Sequence, residues 1–231
     1  GNTAAGGGGI SIAGAGVVRN SLVHRNGAIS EGGGGSTCWQ GGSLENCTIV
    51  ENWASNGWGG GVYSYSGTVH NTIITLNRAA DYSNYVNDAS TFSFCCSQPA
   101  SSGAGNIQDD PLFADPNAGI YTLATNSPCI DNGTNQAWMT DAADVAGYPR
   151  LMHGTVDMGA YESMLSSWDT DADLLPDWWE WEYSHSLTNV SPASDDDGDQ
   201  LANLGEYQHS ANPTNSDSDA DGMADGWEVR F

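Results

Sequence analysis

Four asparagines set the frame for the first ninety residues. Asn2, Asn26, Asn52 and Asn77 stand 24, 26 and 25 residues apart, and Ala4, Ala28, Ala54 and Ala79 keep the same spacing. A second row runs through "VVRNSLV", "LENCTIV" and "VHNTIIT", which puts Asn20, Asn46 and Asn71 in register. Val23, Ile49 and Ile74 follow three residues behind them. Self-similarity at a period of 20 to 50 residues is the mark of a solenoid or an array. Between the asparagines lie short β-branched runs broken by Gly and Asn, which read as strands separated by turns, with no helical periodicity. The expected fold class is all-β: a right-handed parallel β-helix with coils of about 25 residues, preferred over a β-sandwich or a propeller fragment. Stacked coils lay like residues above one another, which accounts for the apolar rows. Asparagine tolerates the left-handed backbone of a tight turn and has an amide that can bond to its counterpart one coil away.

The last third of the chain is built differently. "DSDADGMADGWE" sets Asp217, Asp219, Asp221, Asp225 and Glu228 at positions 1, 3, 5, 9 and 12, with Gly222 at position 6. "DTDADLLPDWWE" repeats this with Asp169, Asp171, Asp173, Asp177 and Glu180, and "DDDGDQLANLGE" with Asp195, Asp197, Asp199, Asn203 and Glu206. Carboxylates this close repel, at a cost of a few tenths of a kcal/mol per adjacent pair, so a cation is needed to hold them. The register is that of an EF-hand-type calcium loop, in which a carbonyl at position 7 completes six to eight hard oxygen ligands. That carbonyl belongs to Leu175, Leu201 and Met223. Position 6 needs a left-handed backbone that glycine adopts freely. Leu174 and Gln200 stand there in the first two loops, at a cost of about 1 kcal/mol, so those loops are expected to be weaker or differently wound. The tail resembles bacterial thrombospondin type 3 repeats and, more distantly, dockerin loops. The resemblance implies calcium as the organising cofactor of segments that have little core of their own.

Three segments follow: coils over 1–83, a second segment over 84–164 and calcium-binding repeats over 165–231. In the second, "NIQDDPLFADPNAGIYTLATNSPCIDNG" and "YPRLMHGTVDMGAYE" resemble the module that follows β-helices in secreted bacterial proteins of the choice-of-anchor type. The resemblance implies that this segment closes the C-terminal end of the solenoid with irregular last coils. It also implies a Cys96–Cys129 disulfide, with Cys95 as the competing partner. Cys47 sits on an apolar row and reads as a small core residue; Cys38 is left to bridge to it or to stay free.

Charge narrows the functional classes. The chain carries 29 acidic and five basic residues, all arginine, for a net charge of −24. Such a surface repels nucleic acid and anionic lipid, which excludes both as partners. No apolar run reaches the roughly 18 residues of a membrane span. Low-affinity calcium loops and five cysteines fit the extracellular space.

The residues that enzyme chemistry would need are sparse. A uronate lyase needs a base, but lysine is absent, and the guanidinium groups of Arg19, Arg25 and Arg78 are poor bases. Asp109–Asp110 and Asp141/Asp144 suit a glycosidase by residue type only. Asp109–Asp110, adjacent in "QDDP", read better as turn caps, as Asp131 and Asp157 read better as acceptors of backbone amides. The histidines His24, His70, His153, His185 and His209 show no ligand spacing. The run "DWWEWEY" (Trp178, Trp179, Trp181, Tyr183) offers rings for sugars, but packing on the β-helix or the next repeat is the preferred reading. The expectation is a non-enzymatic, secreted, calcium-binding structural or adhesive protein that self-associates head to tail into a filament, with cell-surface polysaccharide as a second partner class. The alternative is a carbohydrate-active β-helix enzyme with its catalytic coils upstream.

Overall fold

Four coils stack into three parallel sheets. The computed structural model describes residues 1–231. Its first coil comprises β1 (Thr3–Ala4), β2 (Ile10–Ala13) and β3 (Val17–His24), and its second β4 (Gly27–Ala28), β5 (Ser36–Trp39) and β6 (Ser43–Val50). In the third and fourth coils the last side is split in two. These coils hold β7 (Trp53–Trp58), β8 (Val62–Tyr65), β9 (Thr68–His70) and β10 (Ile73–Thr75), then β11 (Arg78–Asp81), β12 (Tyr85–Asp88), β13 (Thr91–Ser93) and β14 (Cys96–Ser97). Thr3 faces Gly27, Gly27 faces Trp53 and Trp53 faces Arg78, so the register of the stack is the asparagine spacing of the sequence. Stacking continues past residue 83, where the strict period ends: Val62 faces Tyr85 and Ile73 faces Cys96. Ile12, Val23, Leu44, Ile49, Val62, Val69, Ile74 and Phe92 fill the interior together with Cys38, Cys47 and Cys95. Each large apolar side chain buried there contributes about 1.5–3 kcal/mol.

The two asparagine rows do different work. Asn26, Asn52 and Asn77 are buried, and in each case the residue before them (Arg25, Glu51, Leu76) takes the left-handed turn conformation, with φ of 57°, 54° and 58°. Asn52 Nδ2 donates to the carbonyls of Val23 (2.9 Å) and Val50 (3.0 Å), and its Oδ1 accepts the backbone amide of Asn26 (2.9 Å). Asn77 repeats the pattern one coil on, donating to Ile49 (2.9 Å) and Thr75 (2.8 Å) and accepting from the Asn52 amide (2.9 Å). The ladder thus satisfies backbone groups that the turn leaves orphaned inside the molecule. In the second row the asparagines themselves are left-handed, with φ of 44°, 49° and 47° at Asn20, Asn46 and Asn71.

That second row meets the segment that follows the coils. Only its beginning covers the last coil, where Phe94 donates its amide to the Ala104 carbonyl (2.8 Å) and Ile107 bridges to Cys96. After an antiparallel ribbon, β15 (Phe113–Asp115) with β16 (Ile120–Leu123), the chain runs back along the flank of the solenoid. Asn20, Asn46 and Asn71 donate side-chain amides to the carbonyls of Ala143 (2.6 Å), Asp157 (3.2 Å) and Thr134 (2.9 Å). Ala160 donates its amide to Thr48 Oγ1 (2.9 Å). Gly159, with φ +102°, passes so close that a Cβ would lie 2.8 Å from Ile73 Cδ1, so only glycine fits. β6 is consequently buried on both its faces, and the segment braces the side of the stack back to its first coil.

A buried charge cluster anchors this brace. Arg150 is fully buried, donates to the carbonyls of Asp157 (2.9 Å) and Gly159 (2.8 Å), and lies 3.4 Å from Glu162. Burial pushes Asp157 up to about 6 and Glu162 to about 9, Glu162 being raised further by Asp157 and lowered by Arg150. An acid whose folded value is raised binds protons more tightly when folded. Its stabilisation is complete below the unfolded value, roughly 4, and is lost as pH rises through the folded value. Residues 1–163 should therefore melt at lower temperature as pH rises from 5 to 9. Glu162→Gln, which imitates the neutral acid, should flatten that dependence in calorimetric melts; an unchanged slope would count against a proton held at Glu162.

The second unit, Met164–Phe231, holds three short helices, α1 (Asp177–Ser184), α2 (Asn203–His209) and α3 (Asp225–Glu228). No helix of either unit is long and apolar enough to cross a membrane.

Candidate metal centres

Each acidic loop winds tightly and feeds directly into a helix. Positions 4 and 6 are both left-handed: φ is 59°, 81° and 60° at Ala172, Gly198 and Ala220, and 84°, 78° and 97° at Leu174, Gln200 and Gly222. Leu174 and Gln200 thus adopt the glycine conformation, and the first two loops are wound like the third. The position 6 amide donates to the position 1 carboxylate in every loop: Leu174 to Asp169 (2.9 Å), Gln200 to Asp195 (3.0 Å) and Gly222 to Asp217 (3.0 Å). The amides of Leu175 (2.9 Å), Leu201 (2.7 Å) and Met223 (2.9 Å) donate to Asp173, Asp199 and Asp221 at position 5. This winding draws the first three acids of each loop together. One oxygen each from Asp169, Asp171 and Asp173 lies within 4.8 Å of the others, and the same holds for Asp195, Asp197 and Asp199 and for Asp217, Asp219 and Asp221.

Several oxygens at the ligand positions are buried without a partner. They are Glu180 Oε2, Asp197 Oδ2, Asn203 Oδ1, both oxygens of Glu206, and Asp217 Oδ1. Glu180 and Glu206, at position 12, are fully buried at the starts of α1 and α2. Burial first, and then neighbouring loop aspartates, push both up to about 7; burial and the surrounding acids also raise Asp171 and Asp197. A buried carboxylate with no donor costs several kcal/mol unless a cation or a proton compensates it. A hard divalent cation fits this donor set, which is all oxygen and of high negative charge. Glu228 in the third loop is exposed.

Position 9 departs from the sequence reading in two loops. Both carboxylate oxygens of Asp177 accept from Thr170, its amide at 2.7 Å and its hydroxyl at 2.8 Å, and those of Asp225 accept from Ser218 at 3.0 and 2.6 Å. These aspartates tie the second residue of the loop to the first residue of the helix, with position 8 as the extended N-cap. Only Asn203 keeps its oxygen unpartnered. The Thr and Ser at position 2 were the available signal for this clamp.

The loops also lean on one another. Trp179, Leu175 and Val190 form a small core with Tyr183, Leu204 and Tyr207, so the aromatic run docks on the next repeat. The Gly226 amide, in the third loop, donates to Asp199 Oδ2 of the second at 2.5 Å. A Cβ at Gly226 would fall 2.4 Å from the Asp199 carbonyl oxygen. Gly226→Ala should therefore displace the Asp199 carboxylate and weaken any cation binding at the second loop about tenfold, although the substitution lies in the third. A calorimetric titration that showed the second site unchanged would contradict this coupling.

The remaining candidates are engaged elsewhere. Asp144 accepts the amides of Ala146 (2.8 Å), Tyr148 (2.9 Å) and Glu162 (2.8 Å), and Asp110 that of Leu112 (3.0 Å). Asp157 accepts from Asp131 (2.8 Å) and Ser163 (2.7 Å), so of that pair Asp131 supplies an amide rather than the expected carboxylate. Arg19 and Arg25 pair with Glu45 (2.6 Å) and Glu51 (2.7 Å). None of the histidines joins a carboxylate group. Cys129 adjoins Cys96 in a cluster with Ile73 and Met158, whereas Cys95 faces the solenoid core. Geometry thus selects Cys96 over Cys95, but all five cysteines are free thiols here and the implied Cys96–Cys129 bond is not formed.

No family model matches the chain, and neither a curated protein nor a solved structure matches it. What the molecule itself defines is a parallel β-solenoid protein with three like acidic loops in a second unit.

Proposed function

We propose that the chain is an extracellular calcium-binding protein of structural or adhesive role, with the β-solenoid as a stiff element and the second unit as a connector set by calcium. One observation carries this reading: three loops of one geometry leave unpartnered oxygens, several of them on fully buried side chains, at the positions where a calcium loop supplies ligands. Asp169, Asp171, Asp173 and Glu180 would hold the first ion, Asp195, Asp197, Asp199, Asn203 and Glu206 the second, and Asp217, Asp219, Asp221 and Glu228 the third. The position 7 carbonyls of Leu175, Leu201 and Met223 would add to each set. The ion supplies positive charge alone; the side chains gather around it and order the loop. Loops of this type in extracellular modules bind at about 10⁻⁴–10⁻³ M, which favours a calcium-rich compartment. Titration calorimetry of the full chain should give three calcium ions per molecule, with magnesium a poor substitute because it demands near-ideal octahedral geometry. A titration without calcium heat would refute the reading.

A further inference from the structure

A second kind of site lies on the solenoid, on the outer face of the sheet formed by β2, β5, β8 and β12. Strand register sets its side chains in columns. Thr37 stands beside Tyr63 and Tyr63 beside Val86, while Trp39 stands beside Tyr65 and Tyr65 beside Asp88. The Trp39 ring lies 5.4 Å from that of Tyr63 and 5.7 Å from that of Tyr65. Trp58, the last residue of β7, and Tyr82, just past β11, extend the row and are 52% and 71% exposed. So much exposed aromatic area on one face is unusual for a surface with no partner. The rings are also oriented. A Cβ on Gly32 would lie 2.6 Å from Tyr63 Cδ2, so that ring rests on bare backbone of the preceding coil.

Two depressions of about 660 Å³ and about 280 Å³ flank this row and share Trp58 and Tyr63 as their common wall. With those two rings between them, the depressions form an interrupted trough along the second, third and fourth coils. Its apolar lining is almost wholly aromatic. Beside the rings stand the amide of Asn56 and the carboxylates of Glu31 and Asp88, while Asn84, Asn87, Gln98 and Thr37 donate to Gln98, Ser101, Gln108 and Ser11 of the protein itself. No basic residue lines either depression.

We propose that this trough binds an extended neutral polysaccharide. Sugar rings present apolar C–H faces that stack on aromatic rings, and equatorial hydroxyls that pair with amides and carboxylates around the rim. The coils repeat every 4.8 Å or so, close to the advance of one pyranose along an extended glycan, so successive rings meet successive coils. Glu31, Asp88 and the net charge of −24 repel uronates and sulfated chains, which restricts the ligand to uncharged sugars. The proposal concerns residues 1–163 and does not depend on calcium in the second unit.

The test is calorimetry and tryptophan fluorescence of the full chain with hydroxyethylcellulose, xyloglucan and chitohexaose, against polygalacturonate and a proline-rich peptide. At least one neutral glycan should bind, with a change in emission. Trp58→Ala and Trp39→Ala should each weaken binding at least tenfold with unaltered circular dichroism, Trp58→Phe should retain most of it, and EDTA should have no effect. Failure of all three neutral glycans, equal binding by both alanine variants, loss in EDTA, or preference for polygalacturonate or the peptide would overturn the proposal.

Discussion

Removal of calcium should unfold residues 164–231 while residues 1–163 stay folded. The second unit has one small apolar core around Leu175, Trp179 and Val190, and 16 of the chain's 29 acids lie from Leu165 onward, against Arg230 alone. Each site contributes about 2.7 kcal/mol when free calcium stands a hundredfold above its dissociation constant. Three sites together would supply about 8 kcal/mol, the scale of a whole small domain's stability. The solenoid is held by its own backbone ladders and asparagine stack, none of which involves an acidic loop. Hydrogen exchange followed by mass spectrometry should show protection of the amides of Leu174, Gln200, Gly222 and the three helices vanish in EDTA, while β5, β6 and β8 keep theirs. Equal protection in calcium and EDTA would mean that the loops are held by their own hydrogen bonds.

The second large effect concerns Asn52. Its side chain satisfies the carbonyls of Val23 and Val50 and the Asn26 amide, all in the interior. Asn52→Ala strips these groups of that partner, leaving the Val50 carbonyl only the 3.4 Å bond from the Arg25 amide, and opens a cavity between coils. At about 1–3 kcal/mol per orphaned group, the loss should reach about 3–5 kcal/mol, which lowers the melting temperature of the first unit by roughly 10 °C. Asn117→Ala, at an exposed position, should change it by less than about 2 °C. Similar shifts for the two variants in thermal melts would show that the ladder is packing rather than essential bonding.

Asparagine spacing made the solenoid legible because stacking forces like residues into one column, and the column is visible as a period. Nothing comparable announced the brace. Asn46 meets Asp157 across 111 residues of sequence, and Ala160 meets Thr48 across 112; single contacts at such separation leave no pattern. The only trace was an unusually apolar outer side on "SLENCTIV", with Thr48 and Val50 where a solvated strand would carry charge. In the acidic loops, the gathering of positions 1, 3 and 5 was legible because alternate residues of a tightly wound loop bring their carboxylates together. At position 9 the bonds of Asp177 and Asp225 to Thr170 and Ser218 were not legible, since an aspartate that caps a turn is the same residue as one that binds an ion. The contact of Gly226 with Asp199 was hidden because its donor is a backbone amide.

A crystal structure of the full chain grown with calcium, with anomalous difference density collected at long wavelength, tests the central claim most directly. Three anomalous peaks are expected, each among the aspartates of one loop at about 2.3–2.6 Å from their oxygens, with Glu180 and Glu206 turned onto the first and second. Loops of unchanged geometry with no such peaks, or peaks confined to lattice contacts, would contradict it.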